Sequence, residues 1–331
     1  MSPRDNLRRF SEMFKRISPS ENGAMPHHLT ENRRPGRQVT TIQEDSVMQK
    51  VTLSAGTIRY RDEGTGPTLL FIHGVFMNHL AWRKVVPSLV AEFRCITPDW
   101  PLGSHTIPMA DDADLSPRGV ARIIREFIET LELNDVIVVG NDTGGALSQL
   151  LISESDERIA GLVLSSCNSF DRFVPPLFKP FRRFAELPGA IAFAVQPLRI
   201  RSFRRLPFVF GRIAKYPIPD EITDSWLEPI LSDSRIRENG RRFVRGIDYQ
   251  DLPTAAERLR EFARPVLLLW AREDRLFPFA FAERWMTVFP NARLVPVTDS
   301  YTYVAEDQPQ FVSNQIAMFA REVRGLSGAQ E

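Results

Sequence analysis

One tight turn carries the residue that is most clearly suited to a catalytic role. It reads Gly140-Asn141-Asp142-Thr143-Gly144, and it joins four β-branched apolar residues to an apolar helical segment. A Gly-x-nucleophile-x-Gly turn holds its central residue in a strained conformation at the tip of a strand, because glycine removes the Cβ atoms that would clash there. The turn therefore predicts that Asp142 is presented as a nucleophile. The alternative is that Asp142 only caps the helix that follows it.

The segments that position this turn alternate between buried strands and helices, which is typical of an α/β fold with a mostly parallel sheet. A helix is predicted to begin at Ser116-Pro117, because the apolar residues after it recur every three or four positions. A hairpin over residues 47–61 supplies the first two strands. The other predicted strands cover residues 68–72, 94–97, 136–139, 162–164, 265–271 and 294–297.

This arrangement resembles the α/β-hydrolase fold family, and within it the branch with an aspartate nucleophile, the epoxide hydrolases and haloalkane dehalogenases. Besides the turn at Asp142, the resemblance rests on His73-Gly74-Val75 after the third strand and on an acidic loop at residues 272–278. It covers residues 47–325. It implies an eight-stranded, mostly parallel sheet flanked by helices. It also implies that a carboxylate attacks carbon to form an alkyl ester, which water then cleaves.

The resemblance gives roles to residues at matching positions. Asp274 matches the acid that orients the catalytic base, and the backbone N–H groups of Val75 and Thr143 match the two donors of the oxyanion hole. His73 is expected to fix its loop. Haloalkane dehalogenases generally hold halide with a Trp after the nucleophile and an Asn or Trp near the His-Gly loop. Thr143 and Val75 occupy these positions here, which argues against halide binding.

The catalytic histidine expected after the last strand is missing. Family members carry it shortly before a Glu/Asp-x-Pro sequence, here at residues 307–309, and this alignment places Thr302 at the histidine position. Attack by Asp142 on a carbon with a good leaving group needs no base, whereas hydrolysis of the ester needs water deprotonated by a group with a pKa near neutral. No histidine follows His105, which is the first substitute base to consider, before His79.

Residues 168–254 interrupt the alternation of strand and helix with many Phe, Pro and Arg residues. The resemblance implies that they form a helical cap over the pocket, inserted into a core made of residues 46–167 and 255–331. Epoxide hydrolases protonate the epoxide oxygen with cap tyrosines, and Tyr216 and Tyr249 could serve here. Residues 172–215 contain ten Lys or Arg and one acid, Glu186. This excess indicates either solvated helix faces or an anionic substrate or membrane surface.

Composition limits the classes of protein and of partner to which the sequence could belong. The 331 residues, 43% of them hydrophobic, can form one large domain with an insertion. The 42 basic and 41 acidic residues give no overall field for nucleic acid, and two cysteines are too few for a disulfide scaffold. No apolar run predicts a membrane span or a secretory signal, so a cytoplasmic location is expected. Residues 1–45 predict a mobile extension, and the acidic run at residues 111–114 predicts a solvated loop without metal.

Two functions follow from these residues. The first is a hydrolase that needs no cofactor and attacks a small, largely apolar molecule through Asp142, with Asp274 as the acid and an incomplete triad. The second is a non-hydrolytic member of the same fold that binds a small ligand or a partner. Thr302 is the residue that separates them, because threonine cannot deprotonate water. The oligomeric state is not determined by these patterns.

Overall fold

A computed structural model describes residues 47–325, apart from residues 156, 180, 181, 183, 184, 188, 207 and 208. The predicted mobile extension, residues 1–45, lies outside the described residues. Within the described range, no helix has the length and apolar character needed to cross a membrane. In the same range, no group of three or more His, Cys, Asp or Glu side chains is arranged to hold a metal ion.

An eight-stranded sheet organises the fold, as predicted, and its strand order is β1-β2-β4-β3-β5-β6-β7-β8. The β1–β2 and β2–β4 pairs are antiparallel, and every other pair is parallel. The strands are β1 (Gln49–Leu53), β2 (Gly56–Glu63), β3 (Thr68–Ile72), β4 (Arg94–Pro98), β5 (Val136–Asp142), β6 (Ile159–Cys167), β7 (Val266–Ala271) and β8 (Ala292–Val297). Strand β5 lies between β3 and β6, so the last residue of β5, Asp142, stands at the carboxyl edge of the sheet centre.

Helices flank the sheet. The helix predicted at Ser116 begins there, because the Ser116 hydroxyl accepts a hydrogen bond from the Gly119 N–H at 3.1 Å and Pro117 occupies the first turn. The helices are α1 (Pro117–Thr130), α2 (Thr143–Glu154), α3 (Ala190–Val195), α4 (Arg201–Arg204), α5 (Asp220–Ser232), α6 (Ser234–Arg245), α7 (Asp251–Arg258), α8 (Ala280–Val288), α9 (Val304–Asp307) and α10 (Pro309–Val323).

The described part of the segment between β6 and β7 contains short helices joined by turns, and we call residues 168–254 the insert. The insert packs on the loops that follow the carboxyl ends of the strands. The Ser104 hydroxyl donates to the Trp226 carbonyl at 2.6 Å, and the Tyr303 N–H donates to the Ile213 carbonyl at 2.6 Å. One continuous apolar cluster includes side chains of the sheet, the flanking helices and the insert. The insert is therefore fixed over the edge of the sheet at which Asp142 stands.

Candidate active site

The turn at Asp142 has the strained geometry that its two glycines predict. Asp142 has φ 54° and ψ −129°, a combination that costs a non-glycine residue roughly 1–3 kcal/mol and persists only where the surroundings enforce it. A Cβ atom on Gly144 would lie 1.9 Å from the Ile72 carbonyl oxygen. A Cβ atom on Gly140 would lie 2.5 Å from the Ser148 hydroxyl. Strand, turn and helix therefore approach so closely at this point that only glycine fits on either side of the aspartate.

The two oxygens of the Asp142 carboxylate have different environments. Oδ1 accepts hydrogen bonds from the Thr143 N–H and, at 2.8 Å, from the Thr143 hydroxyl. Oδ2 has no hydrogen-bond partner among the described residues, and the side chain is partly exposed. A Cβ atom on Gly74 would lie 3.1 Å from the Asp142 Cβ and 3.2 Å from its Cγ, so the loop after β3 packs directly on this side chain. One oxygen is held and the other is left free.

The pKa of Asp142 is raised from 3.8 to about 6, chiefly because burial disfavours the charged form. The hydrogen bonds from Thr143 lower this pKa, and the negative charge of Asp274 raises it. The carboxylate is therefore ionised at neutral pH while weakly solvated. A weakly solvated carboxylate is more reactive towards carbon than one with a full water shell.

The two residues predicted as oxyanion donors, Thr143 and Val75, belong to segments that meet at Asp142. The Thr143 N–H already points at Asp142 Oδ1. Val75 directly follows Gly74, which contacts the Asp142 side chain, and its own N–H has no hydrogen-bond partner within the described range. The next residue, Phe76, turns the chain away with φ 57°. The Thr143 N–H therefore contacts the Asp142 carboxylate directly, and the role of both N–H groups in stabilising an oxyanion stays a prediction.

Asp274 follows β7 and is anchored through one oxygen. Its Oδ1 accepts from the N–H groups of Leu276 at 2.7 Å and Phe277 at 2.8 Å, and from the Thr302 hydroxyl at 2.9 Å. Its Oδ2 is buried and has no hydrogen-bond partner in the described part of the chain. Burial raises the pKa of Asp274, and the bonds from Phe277, Leu276 and Thr302 oppose that shift. The side chain is thus rigidly held, and its role as an orienting acid stays a prediction.

Thr302 lies in contact with Asp274, and its assignment to the histidine position stays a prediction. Its side chain is fully buried, its hydroxyl bonds to Asp274, and its carbonyl accepts from the Asn141 amide at 2.9 Å. The same amide donates to the Ser165 carbonyl at 2.9 Å, at the end of β6. Asn141 therefore fastens the turn at Asp142 to the Thr302 loop. Sequence reasoning did not single it out, although a buried amide at the end of an apolar strand was a usable signal.

The insert clamps the loop that carries Thr302. The Asp307 carboxylate accepts from the N–H of Tyr301 at 3.0 Å, within the loop, and from the N–H groups of Lys215 at 2.9 Å and Tyr216 at 3.1 Å, in the insert. The sequence marked Asp307 only as part of the Glu/Asp-x-Pro anchor. In the structure it holds two segments together through several backbone donors, so the position of Thr302 is set by the insert as well as by the sheet.

His73 has a structural role, as expected. Its Nδ1–H donates to the Gly74 carbonyl at 2.9 Å, and its Nε2 accepts from the Trp100 N–H at 3.0 Å. Burial lowers its pKa to about 4, so the ring is neutral. His73 therefore shapes the loop that carries Val75 and has no free nitrogen for proton transfer.

His105, the first substitute base considered from the sequence, is buried under helix α6 of the insert. Its Nε2–H donates to the Asn239 amide oxygen at 3.0 Å, and its Nδ1 accepts from the Gly103 N–H at 3.4 Å. Burial lowers its pKa to about 4. In this arrangement neither ring nitrogen can take a proton from water. His79 donates through Nδ1 to Asp99 at 2.7 Å, and no contact joins it to Asp142 among the described residues.

The two tyrosines predicted as proton donors are placed differently from that prediction. Tyr216 is 48% exposed and donates its hydroxyl to Asp299 at 2.6 Å, so its predicted role in the pocket is wrong for this arrangement. The reason is that the Asp307 carboxylate fixes the Tyr216 backbone N–H, while the Asp299 carboxylate accepts a hydrogen bond from the Tyr216 hydroxyl. Tyr249 is partly buried with the Arg182 guanidinium 5.0 Å from its ring centre, and no described contact connects it to Asp142.

Residues 69–315 match the alpha/beta hydrolase family. The chain belongs to this family. It is similar to haloalkane dehalogenase 2 of Mycobacterium tuberculosis, with 28% identity over 275 residues that cover 80% of this chain and 91% of that protein. It is also similar to cis-3-alkyl-4-alkyloxetan-2-one decarboxylase of Shewanella oneidensis, with 25% identity over 291 residues that cover 82% of this chain and 87% of that protein.

Solved structures show the same fold. The structure of epoxide hydrolase CorEH superposes with a TM-score of 0.71 at 20% identity, covering 84% of this chain and 99% of that chain. The chain is thus an alpha/beta hydrolase that resembles haloalkane dehalogenases and epoxide hydrolases.

Proposed function

We propose that this alpha/beta hydrolase attacks a saturated carbon through Asp142 and forms an alkyl ester that it releases slowly. The observation that carries the proposal is the asymmetric carboxylate in the strained turn, with Oδ1 held by Thr143 and Oδ2 unpartnered and partly accessible. Similarity to a haloalkane dehalogenase and to the oxetan-2-one decarboxylase supports the same chemistry. The substrate is a small, largely apolar molecule that binds between the insert and the edge of the sheet.

The first step balances without a base. A lone pair on Asp142 Oδ2 forms the new C–O bond while the bond from carbon to the leaving group breaks, and the leaving group departs with that electron pair. Asp142 Oδ1 becomes the carbonyl oxygen of the ester and stays within reach of the Thr143 N–H. Because burial keeps the pKa of Asp142 near 6, the carboxylate is available for attack at neutral pH.

The arrangement favours leaving groups that depart without a proton. An opened epoxide leaves an alkoxide that must be protonated, and the sequence offers five tyrosines for that role. Tyr216 bonds to Asp299 at the surface, and Tyr303 donates to the Ala81 carbonyl. A halide ion or the carboxylate of an opened oxetan-2-one needs no proton. We therefore rank strained cyclic esters first, because Thr143 and Val75 lack the groups with which dehalogenases hold halide.

The second step is expected to be slow. Cleavage of the ester needs a water molecule that loses a proton, and general-base help typically contributes about two to four powers of ten in rate. Thr302 stands where the base is expected and uses its hydroxyl to donate to Asp274. His73 and His105 have both ring nitrogens engaged. We therefore expect the ester on Asp142 to be hydrolysed more slowly than it forms.

Intact-protein mass spectrometry tests the proposal. The protein is incubated with a panel of small alkyl halides, oxetan-2-ones and epoxides, and the adduct is mapped by peptide analysis. Asp142→Asn is the negative control, because its amide cannot attack. Asp111→Asn, at an exposed loop aspartate, is the matched positive control. An adduct on Asp142 that is absent only from Asp142→Asn supports the proposal. Adducts on other residues, or an unchanged mass across the whole panel, refute it.

A second function is favoured by one specific observation. Thr302 is fully buried, bonded to Asp274 and clamped by the insert. Residue 302 is thus held in place without a base, which suits a protein that binds a small ligand beside Asp142 without converting it. If the panel leaves the mass unchanged but raises the melting temperature, binding without chemistry is the better description, and the adduct proposal fails.

A further inference from the structure

The sheet loses its regular pairing at the place where Asp142 stands. Along β5 and β6, Asn141 pairs with Ser165 and Asp142 pairs with Cys167, so Ser166 is passed over in the register. Ser166 has φ 24°, at the edge of the left-handed region that side chains rarely adopt. An irregularity of this kind bends a strand and redirects its backbone groups, and it often lies beside an active site. The carbonyls at the end of β6 are therefore placed differently from those of a regular ladder.

One side chain supplies donors to these carbonyls. The Asn141 amide nitrogen donates to the Ser165 carbonyl at 2.9 Å and to the Thr302 carbonyl at 2.9 Å, and it has a longer contact with the Ser166 carbonyl at 3.3 Å. All four residues are at most 2% exposed, so water cannot replace a bond that is lost. The Ser166 hydroxyl accepts from the Ala271 N–H at 3.0 Å, which anchors the end of β6 to β7.

The amide joins the two segments whose spacing matters most for the proposed reaction. Asn141 directly precedes Asp142, the proposed nucleophile. Its partner Thr302 occupies the position that the resemblance assigns to the base, and the Thr302 hydroxyl donates to Asp274 at 2.9 Å. The Asp142 backbone is thus connected to Asp274 through one buried amide and one residue of the distant loop. A shift of Asn141 would move both ends of this connection.

We propose that Asn141 is a positioning residue, whose amide fixes the backbone of Asp142 relative to residue 302 and so sets the direction from which Asp142 Oδ2 approaches carbon. This inference rests on the proposed function. Asn141 acts through the backbone of its neighbours and is not itself a reacting group. Its expected effect is large, because a misplacement of about 1 Å at a reacting group can cost on the order of 10² in rate.

Few side chains other than asparagine can satisfy carbonyls that converge on one point. Aspartate has the same shape but no N–H, and it would place a negative charge against the carbonyl oxygens. Leucine has a similar size and no donor at all. Serine has one donor, and glutamine carries its nitrogen one carbon further from the backbone in a fully buried site. Two hydrogens on one uncharged nitrogen therefore fit the site, and graded substitutions can test the need for them.

The rate of ester formation on the full chain tests the proposal. Intact mass is followed with excess 4-methyloxetan-2-one between about pH 4 and about pH 8. Asn141→Leu should slow ester formation about 100-fold, and Asn141→Ser, which keeps one donor, about tenfold. Both variants should still reach one ester per chain, with the midpoint of the pH profile unchanged near the Asp142 pKa of about 6. A merely structural role would instead lower the final yield of ester, or move the midpoint towards 3.8 as water reaches the carboxylate.

Asn168 offers a matched control. It is a buried asparagine, 4% exposed, whose amide donates to the Phe173 carbonyl at 2.6 Å, and among the described residues its side chain has no contact with the Thr302 loop. Asn168→Leu should leave the rate of ester formation unchanged. If the wild-type chain forms the ester and Asn141→Ser forms it equally fast, or if Asn168→Leu slows it as much as Asn141→Leu, the proposal is overturned. If Asn141→Leu does not fold, Asn141→Ser decides.

Hydrogen exchange supplies a readout that needs no reaction. Asn141→Ser should speed amide exchange in residues 298–307, because their link to β5 is weakened, and Asn168→Leu should not. Unchanged exchange in that loop overturns the proposal whatever the chemistry at Asp142. A wild-type chain that forms no ester refutes the proposed function, and the positioning role falls with it. The two failures are distinguished by whether the wild-type protein gains mass.

Discussion

Replacing Asp142 with asparagine is predicted to stabilise the protein at neutral pH and to leave its stability unchanged in acid. The carboxylate lies in a site that raises its pKa from 3.8 to about 6, mainly through burial. The same site therefore disfavours the ionised side chain in the folded state. Asparagine keeps the shape of the side chain and an oxygen that accepts from Thr143, and it removes the charge.

The sign and size of the stability difference between wild type and Asp142→Asn follow from the folded and unfolded pKa values of Asp142. Below the unfolded value of 3.8 both states are protonated, and the charge has no effect. Between 3.8 and about 6 the unfolded state ionises while the folded state stays protonated, so the wild-type protein loses about 1.4 kcal/mol of stability per pH unit relative to the variant. Above about 6 both states are ionised and the difference stays constant, at most about 3 kcal/mol.

Urea unfolding is measured between pH 4 and pH 8 in steps of about one pH unit. If the m-value is the same in both proteins, the shift in the midpoint urea concentration gives the difference in stability. Asp111→Asn serves as the control for a generic loss of one negative charge, because Asp111 is exposed. We expect the advantage of Asp142→Asn to be absent at the acid end, to grow until about pH 6 and then to level off. An advantage that is independent of pH, or a variant less stable than wild type at pH 8, refutes the reasoning about burial of the charge.

Four further outcomes are expected. The rate of ester formation should rise about tenfold per pH unit below the Asp142 pKa of about 6 and level off above it, as followed by adduct mass; a flat profile contradicts this. Thr302→Val should lower the free energy of unfolding, measured with urea, by about 1–3 kcal/mol because the hydrogen bond to Asp274 is lost. Thr302→Ser keeps the hydroxyl and should lower the free energy of unfolding by about 1 kcal/mol, because one buried methyl group is lost. Gly74→Ala should slow ester formation at least about tenfold, because its Cβ would press on the Asp142 side chain at 3.1–3.2 Å; a folded variant with unchanged adduct kinetics speaks against that contact. Thr302→His should shorten the lifetime of the ester by about two to four powers of ten, and a folded variant with an unchanged lifetime would show that Thr302 is not the base position.

The sheet could be predicted from the sequence because its signals are local. The run at residues 68–72 forms β3 with those bounds, and Ser116-Pro117 begins α1 as a cap and a first-turn proline. The strained turn at Asp142 was equally accessible, since two glycines around one aspartate leave few other backbone conformations.

The remaining features depend on contacts between distant segments, which no local pattern encodes. The direction of Tyr216 is decided by Asp299 and Asp307, both far along the chain. His105 loses its free nitrogen to Asn239, in a helix of the insert. Asn141 joins the turn at Asp142 to the Thr302 loop, from which it is separated by 161 residues along the chain. In each case a buried polar group takes the partner that folding brings to it, and the sequence alone does not name that partner.

We infer that Asp142 attacks carbon and that the resulting ester persists because no base stands at residue 302. The most direct test follows the mass of the protein after excess alkylating reagent has been removed, in water enriched in ¹⁸O. The account predicts an adduct on Asp142 that persists, with ¹⁸O entering the Asp142 carboxyl group only as the adduct slowly decays. Rapid loss of the adduct with ¹⁸O incorporation in the wild-type protein would reveal a working base, and an adduct that never forms on Asp142 would contradict the account at its first step.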